Sequence, residues 1–349
     1  QANFGESFRS DSDCCLPTMA FFGEREDDIE VKITTGEEPK GEHDKSSNKK
    51  LAPSMTISGL AAEVFTVKFS PDGKYIAAGC GDGIIRVFNA STGVLSQTLI
   101  GPAVAGLPMT ILRFRPPSAD RTKNVLLAGS ATGAIQHWHI TSGKCLHSMR
   151  PDEENQINGI DYTFNGDKFA VSGKQSSIQI YDEDTRKQCL NLSGGLLGRG
   201  GAGHSNRVFS VKFHPQQPEM LASGGWDNTV QIWDCRVGRS VRTIYGPHIA
   251  GDALDISDRG ILTGSWRTEK QLEVWDFGTG KLIETVAWKS SILQQREPCM
   301  LYAAQFSAAE SPEFIAGGGS GANEARVFDV NAGNALVSHH HRKGAGGRA

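Results

Sequence analysis

Six times in order the chain repeats one pattern of short apolar segments, and this constrains its fold more than any other feature. The fourth repeat shows the pattern most fully: Val208-Phe-Ser-Val-Lys-Phe-His214, then Met220-Leu-Ala-Ser-Gly224, then Val230-Gln-Ile-Trp-Asp234, then Val241-Arg-Thr-Ile244. Alternation of apolar and polar residues makes each segment a half-buried strand. The third segments of the six units are Ile84–Asn89, Ile135–Trp138, Ile178–Asp182, Val230–Asp234, Leu272–Asp276 and Ala325–Asp329, and they recur every 42 to 53 residues. A four-strand unit at such a period cannot bury its faces alone and stacks on its neighbours, as in a propeller. Composition agrees: 41 of 349 residues are Gly, against about 7% in an average protein. Gly in a helix interior costs about 1 kcal/mol relative to Ala, so the excess disfavours helical bundles. Asp72-Gly73 and Asp82-Gly83 suit hairpin turns, and Thr92-Gly93, Ser142-Gly143 and Thr279-Gly280 mark the turn before a fourth strand.

In the fourth repeat, Gly203-His204, Ser223, Asp227 and Trp233-Asp234 give a more specific signature. The repeat resembles the WD-repeat β-propeller family. The resemblance implies an all-β single propeller over residues 55–337, in which His204, Ser223, Asp227 and Trp233 form a buried hydrogen-bonded chain. The chemistry is consistent, because a buried Asp needs partners and Trp offers an N–H donor. Read alone, a Ser, a His and an Asp would also suggest a hydrolase triad; the shared framework of the repeat accounts for them better. Other repeats depart from the signature: Phe88, Tyr181 and Phe328 stand where Trp is expected, so those repeats should hold mainly by apolar packing. Seven-bladed closure is common in the family and is favoured slightly over six blades. Met55-Thr-Ile-Ser58 is the nearest strand for closing the ring, and Ile29-Glu-Val-Lys-Ile33 is a candidate for a degenerate seventh blade.

Residues 1–54 are polar and read as an arm, partly disordered, with one possible strand at 29–33; Glu37 to Lys50 is a charged run without periodicity. Residues 338–349, with their His-His-His tract, read as a flexible tail whose histidines reflect composition rather than a metal site. The stretch Leu197–Gly203 reads as a flexible loop feeding the fourth repeat. The formal charge of −3 argues against a strongly basic nucleic-acid binder. No apolar run approaches the roughly 18 residues of a membrane span, and no signal region is evident. Seven Cys, with no C-x-x-C pair and no zinc spacing, read as reduced thiols.

No catalytic constellation stands out. P-loop, H-E-x-x-H and G-x-S-x-G patterns do not occur, so the expectation is a chain that is not an enzyme and carries no cofactor, metal or small-molecule substrate. Surface chemistry remains. In this family the residue before the turn Asp points toward one rim, which places Trp226 and Trp266 on adjacent blades, with Arg207 and Arg267 nearby. Trp and Arg are enriched at binding hot spots; packing beneath neighbouring loops is the competing role. Trp233-Asp234-Cys235-Arg236 is similar to the element by which some WD-repeat proteins dock on cullin–RING ubiquitin ligases; strand-end capping by Arg236 is the competing role there. The expected function is a protein-interaction scaffold within a larger cytoplasmic assembly, with no nucleic-acid or membrane partner. A ciliary or microtubule-associated setting follows from the family resemblance. A substrate receptor of a cullin–RING ligase is the alternative. An enzymatic propeller would need converging polar groups in its central channel, and a channel with only apolar and scattered residues would count against one.

Overall fold

A computed structural model describes residues 55–101, 106–118, 121–152, 154–194, 203–288, 298–308 and 311–341. The expectations for the arm, the strand at 29–33, Cys14 and Cys15 fall outside these residues, as does most of the loop at 197–203.

The described chain forms six four-stranded antiparallel sheets, each made of strands consecutive in sequence. The first is β1 (Val64–Phe69), β2 (Tyr75–Cys80), β3 (Ile84–Asn89) and β4 (Leu95–Ile100). The second is β5 (Met109–Phe114), β6 (Val125–Ser130), β7 (Ile135–His139) and β8 (Lys144–Met149). The third is β9 (Ile157–Tyr162), β10 (Lys168–Gly173), β11 (Ile178–Asp182) and β12 (Gln188–Leu192). The fourth is β13 (Val208–Phe213), β14 (Met220–Gly225), β15 (Thr229–Asp234) and β16 (Arg239–Tyr245). The fifth is β17 (Leu254–Ser257), β18 (Gly260–Gly264), β19 (Leu272–Trp275) and β20 (Leu282–Val286). The sixth is β21 (Met300–Phe306), β22 (Phe314–Ser320), β23 (Glu324–Asp329) and β24 (Ala335–His341).

First strands of consecutive sheets pack side by side, from β1 on β5 through to β17 on β21. The result is a β-propeller of six blades. The ring-closing strand expected at Met55–Ser58 is not a strand, and the sixth sheet takes its fourth strand from its own repeat. That strand also corrects the expected tail. β24 runs on to His341 because Arg326, Ala325 and Glu324 offer backbone partners to His339, His340 and His341.

Two local devices explain the repeat. The second strand is rich in small residues because the next blade approaches there. A Cβ on Gly129 would lie 2.5 Å from Ile157 Cγ2, and one on Gly224 2.5 Å from Ile249 Cγ1. The other device is at the aromatic residue, where the pairing of third and fourth strands shifts register in every sheet: at Phe88, Trp138, Tyr181, Trp233, Trp275 and Phe328. Such a bulge re-aims one side chain and increases twist. The turn that follows needs a left-handed residue. Gly93, Gly143, Gly238, Gly280 and Gly333 supply it in five sheets, and Arg186 does so in the third, at φ 57°.

Buried apolar clusters span the joints between blades. Ala77, Ile85 and Val87 of the first sheet share one with Met109, Leu112 and Leu126 of the second. The largest joins the fourth, fifth and sixth sheets. The blades lacking Trp are packed in this way, yet polar links are not confined to the fourth. Trp138 Nε1 donates to Gln136 Oε1 at 3.1 Å, and Trp275 Nε1 to Thr263 Oγ1 at 3.0 Å.

Candidate functional site

Successive strands are antiparallel, so the turn after a second strand and the loop leading into the first strand of the same blade share one face of the disc. Asp227, after β14, and His204, before β13, meet on this logic. His204 Nδ1 lies 2.8 Å from Asp227 Oδ2, and its Nε2 lies 2.7 Å from Ser223 Oγ. Trp233 Nε1 donates to Ser223 Oγ at 2.8 Å. One assignment satisfies all of them: Nδ1–H donates to Asp227, the Ser223 hydroxyl donates to Nε2, and Ser223 accepts from Trp233. Thr229 Oγ1 and the Ser205 amide complete the shell of Asp227, at 2.8 and 3.0 Å. Burial opposes the Asp227 charge, but the bonds from His204, Ser205 and Thr229 hold its carboxyl below the usual range. Trp233 and Ser223 are fully buried. Ser223 Oγ is enclosed between His204 and Trp233, a geometry that ties strands together and leaves no open nucleophile.

The same face carries the rim residues. Arg207 lies over the Trp226 ring at 5.6 Å. Trp226 stacks on Phe209 at 5.0 Å and 24°, and on His248 at 6.3 Å and 17°. His248 in turn lies 6.3 Å from Trp266. Arg207, Trp226, His248 and Trp266 form one ladder across the joint between the fourth and fifth blades. His248 is the rung that sequence reasoning missed; its signal was its place in the loop Tyr245–Gly251, between the two Trp-bearing blades. Asn228 Oδ1 meets its Nδ1 at 2.8 Å. Burial, and then the charge of Arg267, push the His248 pKa down. Trp226, Trp266, Arg207 and His248 are half-buried, and Tyr245 beside them is 74% exposed. Trp226 also packs against the large apolar cluster, so it serves the core as well as the surface. Arg267 is turned inward, donating to Glu273 Oε2 and to the Lys270 carbonyl, each at 2.9 Å.

Arg236 is forked onto Asp234, with Nε to Oδ1 at 3.0 Å and NH2 to Oδ2 at 2.6 Å. The guanidinium holds the Asp234 carboxyl down to about 2. Trp233 beneath them is inaccessible, which leaves the 69% exposed Arg236 side chain as the reachable part of that element.

Polar side chains converge in the central channel, the arrangement an enzymatic propeller would need. One residue before the end of the first strand stand Lys68, Arg113, Asp161, Lys212 and Gln305 in five blades, and in the fifth blade Asp255 stands two before the end of β17. This matched position was visible in the repeats and was not read. Arg113 places NH1 and NH2 on Asp252 Oδ2 and Oδ1 at 2.9 and 2.6 Å, and Nε 3.2 Å from Asp161 Oδ1. Lys68 Nζ reaches Asp252 Oδ2 at 2.9 Å, and Lys212 Nζ lies 3.5 Å from Asp255 Oδ1. Asp161 and Asp255 also accept the backbone amides of Phe213 and Phe306 on the following blades, at 2.8 and 2.9 Å. Burial, with Arg113 nearby, pushes the Lys68 pKa down to about 8. Three cations and three carboxylates thus satisfy one another. Polar groups converge in the channel because polar side chains there pair across blades, and each carboxylate already has its partners.

A cavity of about 230 Å³ borders the third blade, lined by side chains that include Asn155, Gln175, Gln179 and Tyr181. Among the described residues no group of three or more His, Cys, Asp and Glu is placed to hold a metal. No helix among them is long and apolar enough to cross a membrane. The five described cysteines are free, and burial raises Cys235 to about 12 and Cys299 to about 11.

The fold and this hydrogen-bonded framework define a six-bladed β-propeller of repeated four-stranded units. The WD domain, G-beta repeat family model matches residues 52–89 and 199–234, and the six-bladed fold is that of a WD-repeat β-propeller. It is similar to WD repeat-containing protein slp1 of Schizosaccharomyces pombe, 21% identical over 243 residues, covering 67% of this chain and 46% of the relative. It is also similar to the U3 small nucleolar RNA-associated protein 15 homolog of Xenopus tropicalis, 23% identical, covering 69% and 43%. The THO complex subunit 6 homolog of Danio rerio is 29% identical, covering 53% and 57%. The chain spans about half the length of these curated relatives. The expectation of no nucleic-acid partner finds no support among them, since one is named for association with a small nucleolar RNA.

Proposed function

We propose that this chain is a non-enzymatic interaction scaffold that docks a protein partner on the rim built by Arg207, Trp226, His248 and Trp266. The observation that carries the reading is the continuous ladder of half-buried rings and a guanidinium across two adjacent blades. Trp and Arg anchors in partly desolvated positions are what concentrates binding energy at interfaces. Arg207 and the adjacent exposed Tyr245 favour a partner segment bearing aromatic and acidic side chains. The paired state of the channel charges supports a structural rather than a catalytic role for that cluster. Names of the relatives, among them a THO complex subunit and a small nucleolar RNA-associated protein, support membership of a multi-component assembly.

The alternative reading, a substrate receptor of a cullin–RING ubiquitin ligase, draws on the exposed Arg236 side chain. The cytoplasmic, ciliary or microtubule-associated setting expected from the sequence stands as a separate proposal. The relative named for a small nucleolar RNA favours a ribonucleoprotein assembly over it, and fractionation of tagged protein decides between the two.

Native affinity purification of the full chain tests the rim, with Trp266→Ala combined with Arg207→Glu as one variant and Arg236→Ala as the other. The rim reading expects the co-purifying proteins to be lost from the first and kept by the second. Retention by the first, at unchanged thermal stability, would overturn it. Loss of a ligase adaptor from Arg236→Ala alone would install the alternative.

A further inference from the structure

The third blade lacks the hydrogen-bonded chain of the fourth, and the cavity of about 230 Å³ lies in its place. The strand pairings align Val171 with Ser223 and Tyr181 with Trp233. Gln175, in the turn after β10, stands where Asp227 does. All three residues of the third blade line the cavity. Val171 offers no acceptor, and the Tyr181 hydroxyl makes no hydrogen bond among the described residues. Gln179 Nε2 donates to Ser177 Oγ at 3.1 Å, as Gln231 Nε2 does to Thr229 Oγ1. Gln231 Oε1 accepts from the hydroxyls of Ser240 and Thr243, at 2.7 and 2.8 Å. Gln188 and Asn191 stand at those two positions in the third blade, and Gln179 Oε1 has no donor among the described residues. The wall of the cavity is therefore made of carboxamides and a phenol with bonding capacity to spare.

We propose that this cavity docks a single arginine side chain of a protein partner. Asp152 is the one charged residue among those that line it. Its Oδ1 accepts the Glu154 amide at 2.9 Å, and its Oδ2 accepts from the Gln175 side chain. A carboxylate has about four lone-pair sites, so room remains for a further donor. Glu154 is exposed beside it; Lys174, next to Gln175, is exposed and outside the lining. An acid in the wall without a base repels phosphates and carboxylates. A guanidinium brings five N–H donors in a rigid fork and stacks on aromatic rings. Asp152, Gln179 Oε1 and the amide oxygens of Gln188 and Asn191 are acceptors for that fork, and Tyr181 supplies the ring. Gln175, Gln188 and Asn191 are exposed, so the cavity opens to the surface. It is smaller than the roughly 300 Å³ at which small-molecule pockets begin, a size that suits one side chain. The site belongs to the third blade and does not depend on the ladder between the fourth and fifth.

Nitrogen-15 NMR of the full chain tests this with the peptide acetyl-Gly-Arg-Gly-amide and its citrulline counterpart, which keeps the shape and loses the charge. The arginine peptide is expected to shift the side-chain carboxamide signals of Gln175, Gln179 and Asn191. The citrulline peptide is expected to bind at least tenfold more weakly, because a charged donor bonds a carboxylate more strongly than a neutral one. Asp152→Asn should weaken the arginine peptide by a similar factor at unchanged thermal stability. Val171→Ser combined with Tyr181→Trp restores the pairing of the fourth blade, fills the cavity and should abolish the shifts. The citrulline comparison needs no variant and decides the matter if a variant fails to fold. No shift in the parent, or shifts confined to other residues, overturns the proposal. So does equal binding of the two peptides, or arginine binding indifferent to Asp152→Asn. Shifts of the same signals by methyl glucoside at lower concentration than by the arginine peptide make it a sugar site and overturn it as well.

Discussion

Arg113, on the first strand of the second blade, places both terminal nitrogens on the two carboxylate oxygens of Asp252, at 2.9 and 2.6 Å. Asp252 leads into the fifth blade, so this pair crosses the central channel between blades that are not neighbours. Removing one partner of a largely buried ion pair leaves the other charge without compensation, which costs roughly 3–5 kcal/mol. Arg113→Ala should therefore lower stability by about 3 kcal/mol, with Lys68 retaining part of the hold on Asp252. The Arg113→Ala, Asp252→Ala double variant should lose less than the two single losses combined. Urea unfolding of the four proteins checks this; strict additivity would show that the pair carries no coupling.

Ser223 is the middle link of the framework in the fourth blade. Ser223→Ala leaves Trp233 Nε1 and His204 Nε2 without partners in a buried site. An unsatisfied buried group costs roughly 1–3 kcal/mol, so the variant should lose about 3 kcal/mol. Arg236→Ala, on an exposed side chain, should stay within about 0.5 kcal/mol of the parent. Equal thermal shifts for the two variants would contradict the framework.

Arg186 adopts φ 57° at a turn where five other blades use Gly. The left-handed conformation costs a side-chain-bearing residue roughly 1–2 kcal/mol, part of which Gly gives back as unfolded-state entropy. Arg186→Gly should stabilise the protein by about 0.5–1 kcal/mol, read as a higher denaturation midpoint at unchanged slope. A lower midpoint would mean that the Arg side chain contributes more than its backbone costs.

His248 has a pKa pushed down by burial and by Arg267. Between that lowered value and the ordinary 6.5 the unfolded chain holds more protons than the folded one, so stability falls as pH drops below about 6.5. His248→Gln should remove this component. The difference in stability between parent and variant should be constant above pH 7.5 and should shift against the parent below 6.5. Thermal melts across pH 5 to 8 measure it, and parallel curves would count against the assignment.

A Trp226→Ala, Trp266→Ala variant would not separate binding from stability, because of the packing of Trp226. That side chain stacks on Phe209 and joins the large apolar cluster. Truncating it should destabilise the protein, and for this reason the cleaner rim variant combines Trp266 with Arg207.

Blade order, strand content and the hydrogen-bonded set His204, Ser223, Asp227 and Trp233 were legible in the sequence. Each depends on residues whose spacing a repeat makes periodic, and strand alternation fixes which of them face inward. The small residues of the second strands and the glycines of the turns were legible for the same reason. Three things came only with the tertiary structure. His248 joins the two rim tryptophans because a loop folds back between blades, and no periodicity marks it. The channel charges pair because the ring brings the second and fifth blades together across a distance of 139 residues in sequence. The exposed Val67 and Phe69 look identical in sequence to the buried Val211 and Phe213. Only the position of a blade at the end of the array decides whether a neighbour covers it.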